Sequence, residues 1–131
     1  WKLSTDNDNP AVTQFFSFVL KDPLQAPETK TEAIMRPALR LCVVKPISGK
    51  THQIRVALKS LGSPIIGDKR YKGTPSDRLY LHSYVLQFTH KNEFFSASCL
   101  PQTGELFAKH LGSFFTQHAE PWLMKWPTFK A

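Results

Sequence analysis

Cysteine is scarce in this chain: Cys42 and Cys99 are the only two in 131 residues. Each sits in an apolar stretch and neither has a partner at metal-ligand spacing, which argues against a disulfide scaffold or a thiolate metal site and predicts two reduced, buried thiols. Long apolar runs are missing as well. No stretch approaches the roughly 20 residues of a membrane-spanning helix, and no basic segment leads into an apolar signal core, so the expected setting is the cytoplasm, without a membrane partner. Acidic residues are outnumbered, 10 Asp and Glu against 17 Lys and Arg, for a formal charge of +7. A field of that sign draws polyanions and speeds encounter with nucleic acid. Many basic proteins bind no nucleic acid, so charge alone names no partner. The chain also lacks an initiator methionine: it opens on Trp1, and the polar run Ser4 to Asn9 leads straight into a strand-like segment. Residue 1 therefore reads as a boundary cut within something longer.

What is present suits one globular unit over residues 1–131. Hydrophobic residues make up 41% and charged residues 21%, enough apolar material for a core without staples. Residues 11–21 are β-branched and aromatic, with Val12, Gln14 and Phe16 on one face and Thr13, Phe15 and Ser17 on the other, which predicts a strand. The proline-rich stretch Asp22 to Pro37 reads as a loop. A second strand is predicted over 38–47, with Leu39, Leu41 and Val43 on one face and Pro46, which has no N–H to donate, ending it. Ile54, Ala57, Leu58 and Leu61 then recur at helical spacing, capped by Ser48 or Thr51 and stopped by Gly62, so a helix is expected over about 51–61. After Pro64 to Ile66 comes a basic loop, GDKRYKGTPSDR. The segments from Leu79 and up to Leu100, joined by His90, Lys91 and Asn92, predict a hairpin. Thr103 is expected to cap an amphipathic helix carrying Leu106, Phe107, His110, Leu111, Phe114 and Phe115, followed by an aromatic tail packed across the body. The sum is an α+β fold with a mixed, largely antiparallel sheet and two helices.

The densest polar chemistry lies between Lys45 and Tyr71. The Ser48-Gly49-Lys50 turn leads into a helix N-terminus, an arrangement suited to phosphate or carboxylate. It is not a nucleotide-binding P-loop: that pattern needs a glycine separated from Gly49 by four residues, and Val44 stands there. With no metal-ligand cluster and no nucleotide motif, no cofactor is expected. His52, Gln53 and Arg55 sit on or beside the helix. Asp68, alone among Lys69, Arg70 and Tyr71, invites reading as an activated carboxylate.

The run SGKTHQIRVALKSLGSPIIGDKRY resembles the C-terminal conserved region of the RluA-type pseudouridine synthases, written as Gly-Arg-Thr-His-Gln-Ile-Arg-Val-His followed by Leu-Gly-His-Pro-Ile-x-Gly-Asp-x-x-Tyr. The family's Leu-His-Ala element is matched by Leu81-His82-Ser83, and the likeness runs from about Leu39 to Leu86. In such enzymes an aspartate in an upstream His-Arg-Leu-Asp segment attacks the target uridine, whose base is detached, turned and rejoined through carbon. Neither that segment nor the family's tyrosine between it and this region occurs here, so the chain resembles the C-terminal part of a synthase catalytic domain and is expected to be inactive alone. Ala57 and Ser63 stand where the family has histidines, and Lys50 replaces an arginine.

The resemblance makes Arg55 the partner of the absent aspartate: a guanidinium against a carboxylate keeps it ionised and oriented. It makes Asp68 a loop-fixing residue and sets Leu81 at the border of the uridine pocket. His52 is a base, an RNA contact or a structural histidine; Gln53 hydrogen-bonds backbone or substrate; Tyr71 and Tyr80 stack on bases or pack in strands. Lys45, Lys50, Lys59, Lys69, Arg70 and Lys72 are the candidate phosphate contacts. Implied is a parent enzyme that isomerises uridine in ribosomal or transfer RNA. The alternatives are a noncatalytic RNA-binding module on the same scaffold and a basic domain with a protein partner. Severing the family's continuous sheet would also leave Phe15, Phe16, Phe18, Leu41 and Val43 uncovered, with self-association of the chain as the consequence.

Overall fold

The structure, a computed structural model, describes residues 9–20 and 39–128. The expected loop from Asp22 to Pro37 lies outside them. Two antiparallel strand pairs and two helices make up the described part, an α+β arrangement.

Strands β1 (Thr13–Val19) and β2 (Arg40–Pro46) pair antiparallel, with Phe16 opposite Val43, Phe18 opposite Leu41 and Thr13 opposite Pro46. Directly opposed residues share a face, so Phe16, Phe18, Leu41 and Val43 form one apolar side. That side is covered. Phe16 meets Trp126 edge-on at 4.8 Å, and Phe18 meets Phe114 at 5.4 Å and His118 at 4.8 Å. The two edge-to-face contacts, Phe16 with Trp126 and Phe18 with Phe114, each contribute about 0.5–1.5 kcal/mol beyond burial. This corrects the expectation that Phe16 and Phe18 lie open; Leu41 and Val43 are half-buried, and only Phe15, 40% accessible on the opposite side, is exposed as expected. Beyond β2, the Ile47 N–H donates to the Val12 carbonyl at 2.9 Å and closes the ladder.

Strands β3 (Val85–His90) and β4 (Glu93–Ser98) form the expected hairpin. Lys91 and Asn92 both adopt left-handed backbone, φ 48° and 64°, the requirement of a two-residue type I′ turn, whose twist matches that of the strands. Leu86 opposes Ala97 and Phe88 opposes Phe95 on one face, where the two phenyl rings stack at 5.1 Å. Leu86, Phe88 and Phe95 are exposed there, and Phe94 is exposed on the other face. Cys99, just beyond β4, is exposed too. It was expected to be buried, but it lies past the end of the strand, its N–H on Tyr84 O; Cys42 is half-buried.

Helix α1 (Gln53–Ser60) begins two residues later than its periodicity predicts. Its C-terminus follows the expectation for Gly62: at φ 75° this glycine donates its N–H to Lys59 O while Ser63 N donates to Leu58 O, the paired bonds of a Schellman motif. Helix α2 (Glu105–Gln117) half-buries the predicted apolar stripe, with Phe107 against Tyr80, Phe114 against Phe18 and Phe115 against Tyr84. Thr103 is not its cap. Gly104 holds that position, and the orphan N–H groups of the first turn go to a distant loop: Glu105 N donates to Asp77 Oδ2 at 3.0 Å and Leu106 N to the Tyr80 hydroxyl at 3.1 Å. Thr103 is used differently, with its carbonyl and hydroxyl both accepting from Arg78. The tail makes a short 3-10 turn, Pro121–Leu123, and lays Trp126 across β1 as expected. Among the described residues no helix is long and apolar enough to cross a membrane.

Candidate functional site

Apart from Pro121 in the tail, the buried residues among those described are apolar Ile65 and polar Gln53 and Asp68, and Asp68 is the one fully buried side chain. Burying polar groups is tolerated only where partners replace water. Gln53 meets that condition completely. Its amide nitrogen donates to Val12 O at 2.8 Å and Thr13 Oγ1 at 2.9 Å, and its oxygen accepts from Ser48 Oγ at 2.8 Å and Lys50 N at 3.1 Å. All four hydrogen-bonding capacities of the amide are thus spent inside the chain. Gln53 bolts α1 to β1, the backbone role of the two open to it.

The same network explains why neither Ser48 nor Thr51 caps α1. Ser48 Oγ accepts from Val12 N at 2.9 Å while donating to Gln53, and the N-cap position falls to His52, whose side chain makes no capping bond. The turn also consumes N–H groups that the sequence left free for an anion, since Gln53 N donates to Lys50 O. His52 is held at φ 54°, ψ 20°, a left-handed backbone that costs a non-glycine residue about 1–2 kcal/mol. Its Nδ1 lies 3.0 Å from the Tyr71 hydroxyl. Partial burial, then the charges of Arg55 and Arg70, hold the imidazole below its ordinary pKa.

Arg55, in the first turn of α1, is the helix's basic residue at the cleft described below. Its Nε donates to Asp68 Oδ2 and its Nη2 to Asp68 Oδ1, both at 2.8 Å. This is a two-pronged pair with the carboxylate wholly buried and the arginine 19% accessible. The Tyr71 ring lies under the guanidinium at 5.1 Å, and Tyr71 N adds a bond to Asp68 Oδ1. The Arg55 hydrogen bonds hold the Asp68 carboxyl below its ordinary pKa, and the same bonds raise that of Arg55. Asp68 does fix its loop, as expected, through Asp68 N to Ile65 O and Gly73 N to Asp68 O. The pairing with Arg55 is the part that the sequence did not disclose.

Two glycines make that loop possible. A Cβ on Gly67, at φ 79°, would fall 1.7 Å from the Arg78 carbonyl oxygen, and one on Gly73 would fall 1.9 Å from that of Ile65. The backbone folds tightly on itself, with Gly67 N to Thr74 O at 2.7 Å and Tyr80 N to Ile66 O at 2.9 Å. Between its two arms opens a cleft of about 440 Å³ lined by Arg55, Asp68, Lys69, Arg70, Asp77 and Arg78 with Gly67, Ser76 and Leu79.

Of the basic candidates, Lys69 and Arg70 join Arg55 at this cleft. Lys50, Lys59 and Lys72 are exposed but do not line it, and Lys45 lies 5.7 Å from the Trp126 ring centre. Leu81 is half-buried and sits outside the lining. Tyr71 has its ring against Arg55 and its hydroxyl against His52. Tyr80 is tied to Asp77 and to the start of α2. Arg78 was not singled out from the sequence. Its position in a turn-rich loop gave no sign that it would join the cleft while also packing on Phe107 at 5.3 Å.

The cleft thus sets the basic Arg55, Lys69, Arg70 and Arg78 beside the carboxylates of Asp68 and Asp77, and comparison with known proteins gives the family. An RNA pseudouridine synthase of Haemophilus influenzae, its own role uncharacterised, is 46% identical over 111 residues, 83% of this chain. The dual-specificity RNA pseudouridine synthase RluA of Escherichia coli is 44% identical over 52 residues. The chain belongs to the RluA-type pseudouridine synthase family. It spans 43% of the length of the Haemophilus relative, and the Escherichia match covers 37% of this chain and 24% of that protein. A Plasmodium falciparum protein named for MATH and LRR domains is 36% identical over 63 residues, 1% of its length, too little to bear on the assignment. No family model and no solved structure matches the chain.

Proposed function

We propose that the complete protein carrying this chain isomerises uridine to pseudouridine in ribosomal or transfer RNA in the cytoplasm, and that Arg55 is the partner of the attacking carboxylate, which comes from outside this chain. The observation that carries the proposal is the guanidinium of Arg55, fixed on α1 at a basic cleft within the stretch shared with the family. A carboxylate brought to its remaining edge would be kept ionised and aimed. Lys69, Arg70 and Arg78 would neutralise RNA phosphates, and such contacts offset the few kcal/mol needed to take the target base out of its stack.

Incubating the complete protein with structured RNA and separating the nucleosides by chromatography and mass spectrometry tests this. Pseudouridine above a matched blank is the expected result. This chain alone should give none, because Asp68 is buried and already committed to Arg55. RNA affinity with a steep salt dependence but no turnover by the complete protein would instead identify a noncatalytic RNA-binding module.

By itself the chain is proposed to self-associate. Among its exposed apolar residues Leu86, Phe88 and Phe95 share one face of the hairpin, and pairing of two copies would cover that face. Sedimentation equilibrium at micromolar concentration decides this: a clean monomer that binds no hydrophobic dye would contradict it.

A further inference from the structure

The two-pronged contact between Arg55 and Asp68 spends one edge of the guanidinium on a carboxylate that no solvent reaches. Three further restraints act on the same pair. Tyr71 places its ring under Arg55 and its N–H on Asp68. Gly67 and Gly73 hold the Asp68 backbone in a loop too tight for any side chain at either position. Gln53, two residues before Arg55, anchors α1 to β1. A loop that only needed closing would not require a buried charge aimed at a residue of the cleft; its backbone bonds, Asp68 N to Ile65 O and Gly73 N to Asp68 O, already close it. A planar guanidinium held along Nε and Nη2 has its orientation set, and Nη1 is the nitrogen outside that contact.

We infer that Asp68 is a positioning residue: it clamps Arg55 along Nε and Nη2 so that Nη1 is presented to the attacking carboxylate in a fixed direction. The inference rests on the proposed pairing of Arg55 with that carboxylate and adds the residue that aims it. Asp68 forms no bond to substrate and takes no proton. Its effect reaches the reaction through Arg55 alone, so it governs the orientation and ionisation of the nucleophile rather than RNA binding.

The experiment compares wild-type complete protein with Asp68→Asn and Asp68→Glu in single-turnover pseudouridine formation across pH, with RNA affinity measured in parallel. For Asp68→Asn the expected result is a fall in the saturating rate of roughly a hundredfold, the scale of a misplaced catalytic contact, with RNA affinity within about threefold. The acidic limb of the pH profile should also move upward, because a misdirected guanidinium no longer holds the nucleophile ionised. Asp68→Glu, which keeps the charge, should restore part of the rate and return the limb toward wild type. A loop-closing role alone would not move the limb. An Asp68→Asn protein with the wild-type rate and limb overturns the inference and leaves the proposed function standing, whereas wild-type protein without turnover defeats the proposed function itself. Should Asp68→Asn fail to fold, the unsubstituted protein still decides: the Arg55 Nε–H should exchange slowly with solvent in a nitrogen-15 spectrum, and exchange as fast as in a free arginine overturns the clamp.

Discussion

The loop around Asp68 and the β3–β4 hairpin are treated oppositely by the same short chain. In the loop and the start of α1 beside it, polar side chains are buried and each finds its partners, Gln53 four times over and Asp68 through both carboxylate oxygens. In the hairpin, Leu86, Phe88, Phe94 and Phe95 are exposed, and Phe88 stacks on Phe95. Burying charge is costly, and exposing phenyl rings forgoes the stabilisation that covering them would bring. The contrast teaches where the fold is self-sufficient: the chemistry-bearing loop is internally complete, whereas the hairpin has a face suited to a partner surface.

The contrast can be broken most severely at Gly67. Gly67→Ala places a methyl 1.7 Å from a carbonyl oxygen at φ 79°, so the loop must move, and a loss of about 4 kcal/mol or more is expected. Urea unfolding of the purified chain measures it. Next in size is Arg55→Met, which leaves Asp68 charged and buried without its partner; breaking such a pair costs about 3–5 kcal/mol, read by the same titration.

Acid tests the pair without a substitution. The folded pKa of Asp68 lies below its ordinary value because Arg55 stabilises the ionised form. Its contribution is therefore fully present above the unfolded carboxylate value, about 3.9, and is lost as pH falls through the lower folded value. Asp77, lowered chiefly by the Tyr80 hydroxyl, acts in the same direction. Unfolding free energy should drop below about pH 4, and Asp68→Asn should flatten that drop. The smallest stability effect belongs to the hairpin: Phe88→Thr removes one stacked pair, about 1 kcal/mol, yet should reduce dye binding and self-association more than any change in the loop. A hairpin substitution that unfolded the chain would erase the distinction between the two regions.

Much of this was legible in the sequence, and the boundary has a physical basis. Helix α1, the hairpin and the apolar stripe of α2 follow from periodicity and from Lys91 and Asn92 in the turn, all local properties. Arg55 was singled out through its ordered motif. The Arg55 to Asp68 pair was not, because the path of a 13-residue connection is set by backbone bonds and glycine clearances that spacing does not reveal. Both helix caps were misjudged for one reason: nearby hydroxyls were the obvious choices, but Ser48 was taken by Gln53 and Val12, and α2 receives its acceptor from Asp77, 28 residues away. Phe16 and Phe18 are covered against expectation because the sequence did not show that Trp126 and α2 would close over them.

The central claim, that the locked guanidinium of Arg55 does chemistry, is tested most directly by Arg55→Lys in the complete protein. Lysine keeps a positive charge near Asp68 but cannot make the two-pronged contact. Single-turnover pseudouridine formation at saturating RNA should fall by roughly a hundredfold or more, the scale seen when one oriented donor is lost, with RNA affinity little changed. A lysine variant as fast as wild type would contradict the account and leave Arg55 a structural residue that holds a loop.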